Sequence, residues 1–325
     1  MQINEATFER CILKLGYVPF EQDEGWRKFQ RQKGNEFLFF VDNEVQPHIA
    51  CCGRVLSKPL LGRILDVMGE VMTDEAVSEK ILKEFFQMLI KDAACNMIVY
   101  NSTSVYSADK EIALRRAGFN RPFGSRTCPL TIFVDLQNDS NAKRDRNWKR
   151  NVKKAIDNHL EFTYVEKPKM EDAVIVCQMF KELSENKHLG YTLNQEGLFQ
   201  LLSNPNYRLY YVCHEGHPIC ARIVYHCKNM AEDVFAANSN ESRLFSATHF
   251  MMECVFSDLS KMGLETFDFS RIPPSTNETD SVYVFKRASG GDNIQYLGEW
   301  VWAKNRILPF LFSVFNFFVR KAHHY

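Results

Sequence analysis

The sequence predicts an α/β (α+β) protein made of two tandem units, each a mixed, largely antiparallel sheet flanked by helices. Three observations carry that expectation. The chain has 325 residues, enough for two domains of about 130 to 180 residues. Helix-patterned and strand-patterned stretches alternate through both halves. Each half also contains a helix that runs into a glycine and then a strand: "ALRRAGF" before "PLTIFVDL", and "SDLSKMGL" before "TFDFSRI". The boundaries expected are 1–136, 137–306, and an apolar and basic C-terminal segment over 307–325.

In the first half, residues 4 to 16 read as a helix closed by Gly16. "NEFLFFVDNEVQPHIACCGRVL" reads as two strands joined by a polar turn at Asp42 to Glu44, and "ILDVMGEVM" as another strand. Val77, Ile81, Leu82, Phe85, Phe86, Leu89 and Ile90 recur at helical spacing behind an acidic first turn. "MIVYNS" is a buried strand, "SADKEIALRRAGF" a short helix stopped by Gly118, and "PLTIFVDL" a strand. In the second half, "EDAVIVCQMFKELSENK" is a helix, and 207–239 gives three strands with turns at Glu215-Gly216-His217 and near Lys228-Asn229. "SATHFMMECVFSDLSKMGL" is a helix closed at Gly263. "TFDFSRI", "VYVFKRA" and "IQYLGEWVWA" are expected to complete the second sheet as strands.

Composition narrows the function. Forty Lys plus Arg balance forty Asp plus Glu, which argues against a protein that coats nucleic acid through its overall field and leaves attraction to local patches. Twenty-six Phe and 45% apolar residues supply a core rather than a disordered chain. The N-terminal stretch MQINEATFERCILKLGYV lacks the basic and long apolar regions of a secretion signal, so the expectation is a cytoplasmic chain. Ten scattered cysteines without a C-x-x-C pair read as reduced core thiols, with no metal site. ILPFLFSVFNFFV, Ile307 to Val319, lies between Lys304 and Arg306 on one side and Arg320 and Lys321 on the other. It is too short to span a bilayer. It reads either as a helix packed on the core or as an interfacial helix whose phenylalanines enter the lipid boundary.

The densest cationic stretch holds seven Lys or Arg between 143 and 154 against one Asp. On a helix, Trp148, Val152, Ala155 and Ile156 share one face, while Arg146, Lys149, Arg150 and Lys153 share another. The second face is either simply solvated or a landing site for phosphate on a nucleotide sugar, a lipid pyrophosphate or a tRNA backbone.

An aspartate-leucine strand end followed by this basic W-K-R-N-V-K-K-A helix resembles the start of the second domain of the FemABX peptidyltransferases and their relatives in the GNAT superfamily. "PFEQDEGW" looks like the early Q…W segment of that family, and "ALRRAGF" into "LTIFVDL" like the end of its first domain. "GLETFDFSRI" followed by "VYVFK" is similar to its G…yDf and FK pair. The resemblance implies two tandem GNAT-like acyltransferase domains with the active cleft between them. It also implies transfer of an aminoacyl or other acyl group to an amine of a cell-envelope precursor, peptidoglycan or polysaccharide, with acyl-CoA or aminoacyl-tRNA as donor substrate and no bound cofactor. The partners implied are a phosphorylated, nucleotide-linked or lipid-linked acceptor and tRNA; the residues of 307–325 separately leave open peripheral contact with the inner face of a membrane.

By this resemblance Lys286 and Phe285 are carried to the reaction centre. A fixed cation there stabilises the carbonyl oxygen as it gains negative charge. On position alone, a lysine before a glycine turn is as readily a solvated strand end. Asp268, between two phenylalanines, either orients that lysine and accepts the proton of the amine or is a structural carboxylate. Arg271 suits a phosphate or carboxylate, and Trp26 joins Arg146, Lys149, Arg150 and Lys153 as a substrate-binding candidate. Two departures stand out. A CoA-using GNAT domain presents a [QR]-x-x-G-x-[GA] loop at a helix N-terminus, whereas "AANSNESRLFSAT" has no glycine. The long heptad hairpin of some family members is also missing. A CoA-dependent acetyltransferase of amino sugars and a non-catalytic module of the membrane surface are the alternatives.

Overall fold

The computed structural model describes residues 1–122, 124, 127–138, 143–187, 192–272 and 281–322, with side chains described at all of them except 187, 281 and 315–322. The chain divides into two compact units, one of residues 1–130 with 295–325 and one of residues 131–294.

The first unit begins with β1 (Gln2–Ile3), α1 (Glu5–Ile12), α2 (Glu24–Arg31), β2 (Glu36–Val41), β3 (Ile49–Lys58), β4 (Gly62–Met68), β5 (Val71–Met72), α3 (Glu79–Asp92), β6 (Met97–Val105) and α4 (Ala108–Arg116). Its sheet runs β1-β2-β3-β4-β6, with β5 on β3. Every pair is antiparallel except β4 beside β6. A parallel pair needs a crossover, and α3 supplies it. Its Leu82, Phe85, Phe86 and Leu89, at the predicted helical spacing, pack on Phe40, Leu65, Ile98 and Tyr100 of the sheet.

The second unit contains β7 (Leu130–Asp135, from Thr131 onward), α5 (Arg146–Asp157), β8 (Glu161–Val165), α6 (Met170–Lys187), α7 (Gln195–Leu202), β9 (Tyr207–His214), β10 (His217–Cys227), β11 (Met230–Asn238), α8 (Ala247–Lys261), β12 (Thr266–Asp268) and α9 (Ser281–Ala288). The sheet order is β8-β9-β10-β11-β12-β7. Again one pair is parallel, β11 with β12, and one helix, α8, crosses between them. Met251, Met252, Val255 and Phe256 of α8 meet Val134, Tyr210, Phe267 and Phe269 in the core. Each unit is thus a mixed, largely antiparallel sheet with a single parallel pair spanned by a helix.

The chain then enters β13 (Asp292–Ala303) and α10 (Ile307–Ala322). From Gln295 onward these belong to the first unit, where β13 pairs antiparallel with β6 and sets Trp300 opposite Tyr100. This corrects the expected division. Residues 295–306 belong to the first core rather than to a 137–306 domain, and 307–325 begins as part of that core, through Leu308 and Phe312. Sequential strands tend to be neighbours, which is why "IQYLGEWVWA" reads as part of the second sheet. Its partner β6 lies far back in the chain.

A second correction concerns "SVYVFKRA". It is the helix α9, not a strand. The β-branched and aromatic run favours a strand by propensity, but packing decides the state. Tyr283, Phe285 and Ala288 rest on the core of the second unit. After Ala288 the chain turns sharply: Ser289 donates from its backbone N–H and its Oγ to the Lys286 carbonyl. Gly290 takes φ +87°, and a Cβ there would lie 2.9 Å from the Lys143 carbonyl carbon. At Gly291 a Cβ would meet the Phe133 carbonyl oxygen at 2.5 Å. The glycine pair is therefore a site of close backbone approach.

Smaller differences follow the same logic. α1 ends at Ile12, short of Gly16. Ile156, expected on the apolar face of α5, is 56% exposed, because it lies about 80° round the helix from Trp148. β1, β8, α2 and α7 are additions to the sequence reading, and "ILDVMGEVM" is two strands, β4 and β5, rather than one. All ten cysteines are free thiols, six of them buried. Among the described residues no helix is long and apolar enough to cross a membrane.

Candidate functional site

The second unit carries a cavity of about 720 Å³, lined from α5, α6, β10, β11, the passage into α8, α8 itself and α9. On one wall lies a charged cluster. Arg222 of β10 is 3% exposed, and its guanidinium grips Asp233 of β11 at both oxygens, Nε to Oδ1 at 2.9 Å and Nη2 to Oδ2 at 2.7 Å. A bidentate pair of this kind holds the carboxylate in one orientation. Lys286 of α9 places Nζ 3.9 Å from Asp233 Oδ2 and donates to the Phe269 carbonyl at 2.7 Å. Two cations thus share the Asp233 carboxylate at the cavity wall.

Beside it stands an aromatic group. Phe285 stacks on Trp148 of α5, with centroids 5.2 Å apart at 29°. His249 of α8 meets both rings edge-on, at 5.1 Å and 5.0 Å. Asn151 Nδ2 lies 3.2 Å from His249 Nε2, an arrangement in which the amide donates and the imidazole proton sits on Nδ1. Burial pushes the imidazole pKa down to about 4, so His249 is neutral near pH 7. Glu253 of α8 fastens α5 from below by accepting from Trp148 Nε1 at 3.0 Å and by pairing with Arg144.

The remaining wall is mixed, with Leu183, Ala236 and Val282 beside polar side chains and Arg243. Its polar part comes from the end of β11 (Asn238), the passage in front of α8 (Ser239, Asn240, Ser246) and the first turn of α8 (Thr248). Asn238 Oδ1 accepts from Cys220 Sγ at 3.0 Å and from Thr248 Oγ1 at 3.3 Å, which points its amide nitrogen elsewhere. Ser246, the residue before α8, adopts a left-handed φ of +58°. Side chains and a left-handed serine occupy the position where the sequence shows no glycine-rich loop.

The residues expected from the sequence fall into three groups. Phe285 and Lys286 line the cavity. Arg146, Lys149, Arg150 and Lys153 are exposed along α5, the helix whose Asn151 also lines the cavity. Asp268, Arg271 and Trp26 are not among the lining residues. Asp268 is buried at 2% exposure and accepts from Thr131 Oγ1 at 2.5 Å and from the Ser270 N–H at 2.8 Å. The carboxylate placed beside Lys286 in the cavity wall is Asp233. Trp26 sits in the first unit, packed edge-on against Phe20 at 4.9 Å and close to Phe29.

Arg222, Asp233, Asn151 and His249 are absent from the sequence reading. One signal was available: Arg222 interrupts the apolar run "PICARIVY", and a charge in a buried strand needs a partner. The register that supplies the partner includes a bulge between Ile223 and Val224, which the residue pattern does not reveal.

No protein-family model and no curated protein matches the sequence. Solved structures do match. The crystal structure of FemX superposes with a TM-score of 0.75 at 13% identity, covering 96% of this chain and 99% of FemX. The C-terminal domain of a proposed lysylphosphatidylglycerol synthetase from Agrobacterium fabrum gives 0.61 at 14% identity over 95% of each chain. A tandem GNAT protein from the clavulanic acid biosynthesis pathway gives 0.56 at 10% identity, covering 94% of this chain and 98% of that one. The chain thus has the fold of FemX, two GNAT-like units in tandem on one polypeptide.

Proposed function

We propose that the protein is an N-acyltransferase of the FemABX type, which transfers an aminoacyl group from aminoacyl-tRNA to an amine of a cell-envelope precursor. The observation that carries this reading is Lys286, held between Asp233 and the Phe269 carbonyl at the wall of the cavity. When the acceptor amine attacks the ester carbonyl, a C–N bond forms and the C–O bond to the ribose breaks. The ribose oxygen leaves with the proton that the amine gives up. In between, the carbonyl oxygen carries negative charge, and a preorganised ammonium stabilises it better than water does. Arg222 holds the Asp233 carboxylate in one orientation beside Lys286.

Three features favour an aminoacyl-tRNA over acyl-CoA as the donor. The passage before α8 has no glycine to bring backbone N–H groups against a pyrophosphate. In the first unit, α3 opens behind Asp74 and Glu75 with Glu79 in its first turn, which repels a diphosphate. The basic face of α5, on the helix that also supplies Asn151 to the cavity, suits a phosphate backbone. FemX and the lysylphosphatidylglycerol synthetase domain, whose name denotes an aminoacylated lipid, share this fold. The test is a transfer assay with labelled aminoacyl-tRNA or acyl-CoA and a panel of muropeptide, amino-sugar and lipid-linked amines. Label passing from the tRNA to an amine supports the reading. Transfer from acyl-CoA alone replaces it with a CoA-dependent acetyltransferase.

A further inference from the structure

The first unit carries a surface outside the transfer chemistry. At one end of its sheet the β3–β4 hairpin pairs Lys58 with Gly62, leaving Pro59, Leu60 and Leu61 at the tip. Leu60 is 89% exposed and adopts φ +66°. That combination is unfavourable twice over. The left-handed region suits glycine or asparagine, and a fully exposed leucine gains nothing from folding.

The neighbouring elements end at the same place. Asn96, just before β6, donates its N–H to the Arg63 carbonyl at 2.8 Å and accepts at its own carbonyl from the Lys304 N–H at 2.9 Å. The start of α10 is therefore tied to the hairpin base. Asn305 Oδ1 caps α10 by accepting from Ile307 and Leu308 at 3.1 Å. One face of the helix is seated: Leu308, Leu311 and Phe312 pack with Leu61, Ile64, Met97 and Val301. The opposite face presents Ile307, 65% exposed, and Phe310, 60% exposed. Lys58, Lys304 and Arg306 are exposed around these side chains. From 303 to 325 the sequence has four Lys or Arg and no Asp or Glu, with five phenylalanines among them.

We infer that this end of the first unit docks on an anionic lipid surface, with Leu60, Ile307 and Phe310 entering the headgroup–acyl boundary and Lys304 and Arg306 meeting the headgroups. The choice of occupant rests on charge. A cationic rim around exposed branched and aromatic side chains complements a negatively charged bilayer face. Long cationic side chains also keep their heads in the polar layer while their stems cover apolar surface. The helix seats one face on the core and offers the other, so docking is peripheral.

The experiment is co-sedimentation of the full chain with vesicles of phosphatidylcholine alone and of phosphatidylcholine with phosphatidylglycerol, at low and high salt. The wild-type chain is expected to pellet with the anionic vesicles and to be released by salt. The pair Leu60→Asn with Phe310→Ser is expected to lower partitioning roughly tenfold or more by removing apolar insertion. Lys304→Glu with Arg306→Glu is expected to bring binding down to the level on phosphatidylcholine. All four side chains are exposed, so unchanged thermal melting is the control for folding. Equal binding to both vesicle types, no binding to either, or unaltered binding by both variants would overturn the proposal. So would wild-type self-association in sedimentation velocity that both variants abolish, since a second copy would then be the occupant.

Discussion

At the scale of single residues, the account places a small number of charges where their removal has distinct signatures. Arg222→Met leaves the Asp233 carboxylate in the cavity wall without its bidentate partner. Breaking a buried pair from one side costs about 3 to 5 kcal/mol, so the variant is expected to melt well below the wild type, whereas Arg222→Lys should fall in between. Melting curves decide this, and an unchanged transition for Arg222→Met would contradict the pairing. His249 gives a pH signature. Its pKa, pushed down to about 4 by burial, lies below the ordinary value, so between about pH 4 and 6.5 the unfolded chain binds the proton and the folded chain does not. Stability is then highest above pH 6.5 and falls as pH drops toward 4, by at most about 3 kcal/mol from this group. His249→Gln is expected to flatten that part of the urea-melt pH profile. A profile as steep as that of the wild type would assign the slope to other groups. Lys286 and Phe285 were legible because they stand in a recognisable order with "TFDFSRI"; Asp233 was not, because nothing local says that its strand faces Arg222.

At the scale of elements, the sequence was most readable where an apolar stripe is wide and regular. α3 and α8 bury residues at the spacing their sequences show. α2 escaped notice because polar residues share its buried face. Arg27 is fully buried, paired with Glu5 and Glu9 of α1, and Gln30 is buried beside Phe29. α9 misled for the opposite reason, since its composition is strand-like. This difference is measurable. Val284 is 48% exposed, and in a helix Val284→Ala should leave stability unchanged or raise it by about 0.5 kcal/mol, whereas in a strand it should lower it. A clear loss of stability would argue against the helix. The basic face of α5 makes a separate statement. Arg150→Glu is expected to weaken binding of tRNA severalfold at low salt and to reduce the salt slope. Filter binding across a salt series reads both, and salt-independent binding would remove α5 from the contact.

At the scale of the whole molecule, the alternation of helices and strands foretold two similar units, and each does carry one parallel pair spanned by a helix. The path of the chain was less visible. β13 returns to pair with β6, Gly298 opposite Ser102 and Trp300 opposite Tyr100, across a sequence separation that no local pattern encodes. The first unit is accordingly expected to depend on the end of the chain. A chain stopped at Ile294 lacks Leu297, Trp300, Leu308 and Phe312, all buried in the first unit. It should lose cooperative unfolding of that unit in calorimetry, and a melting profile identical to that of the full chain would contradict the division.

The central claim, that Lys286 stabilises the developing oxyanion of an acyl transfer, has one direct test. The rate of acyl transfer to an amine is measured for the wild type and for Lys286→Ala with each donor, at saturating donor, alongside their melting curves. Lys286→Ala is expected to lose about a hundredfold or more in transfer with folding preserved. Transfer by Lys286→Ala at the wild-type rate would contradict it.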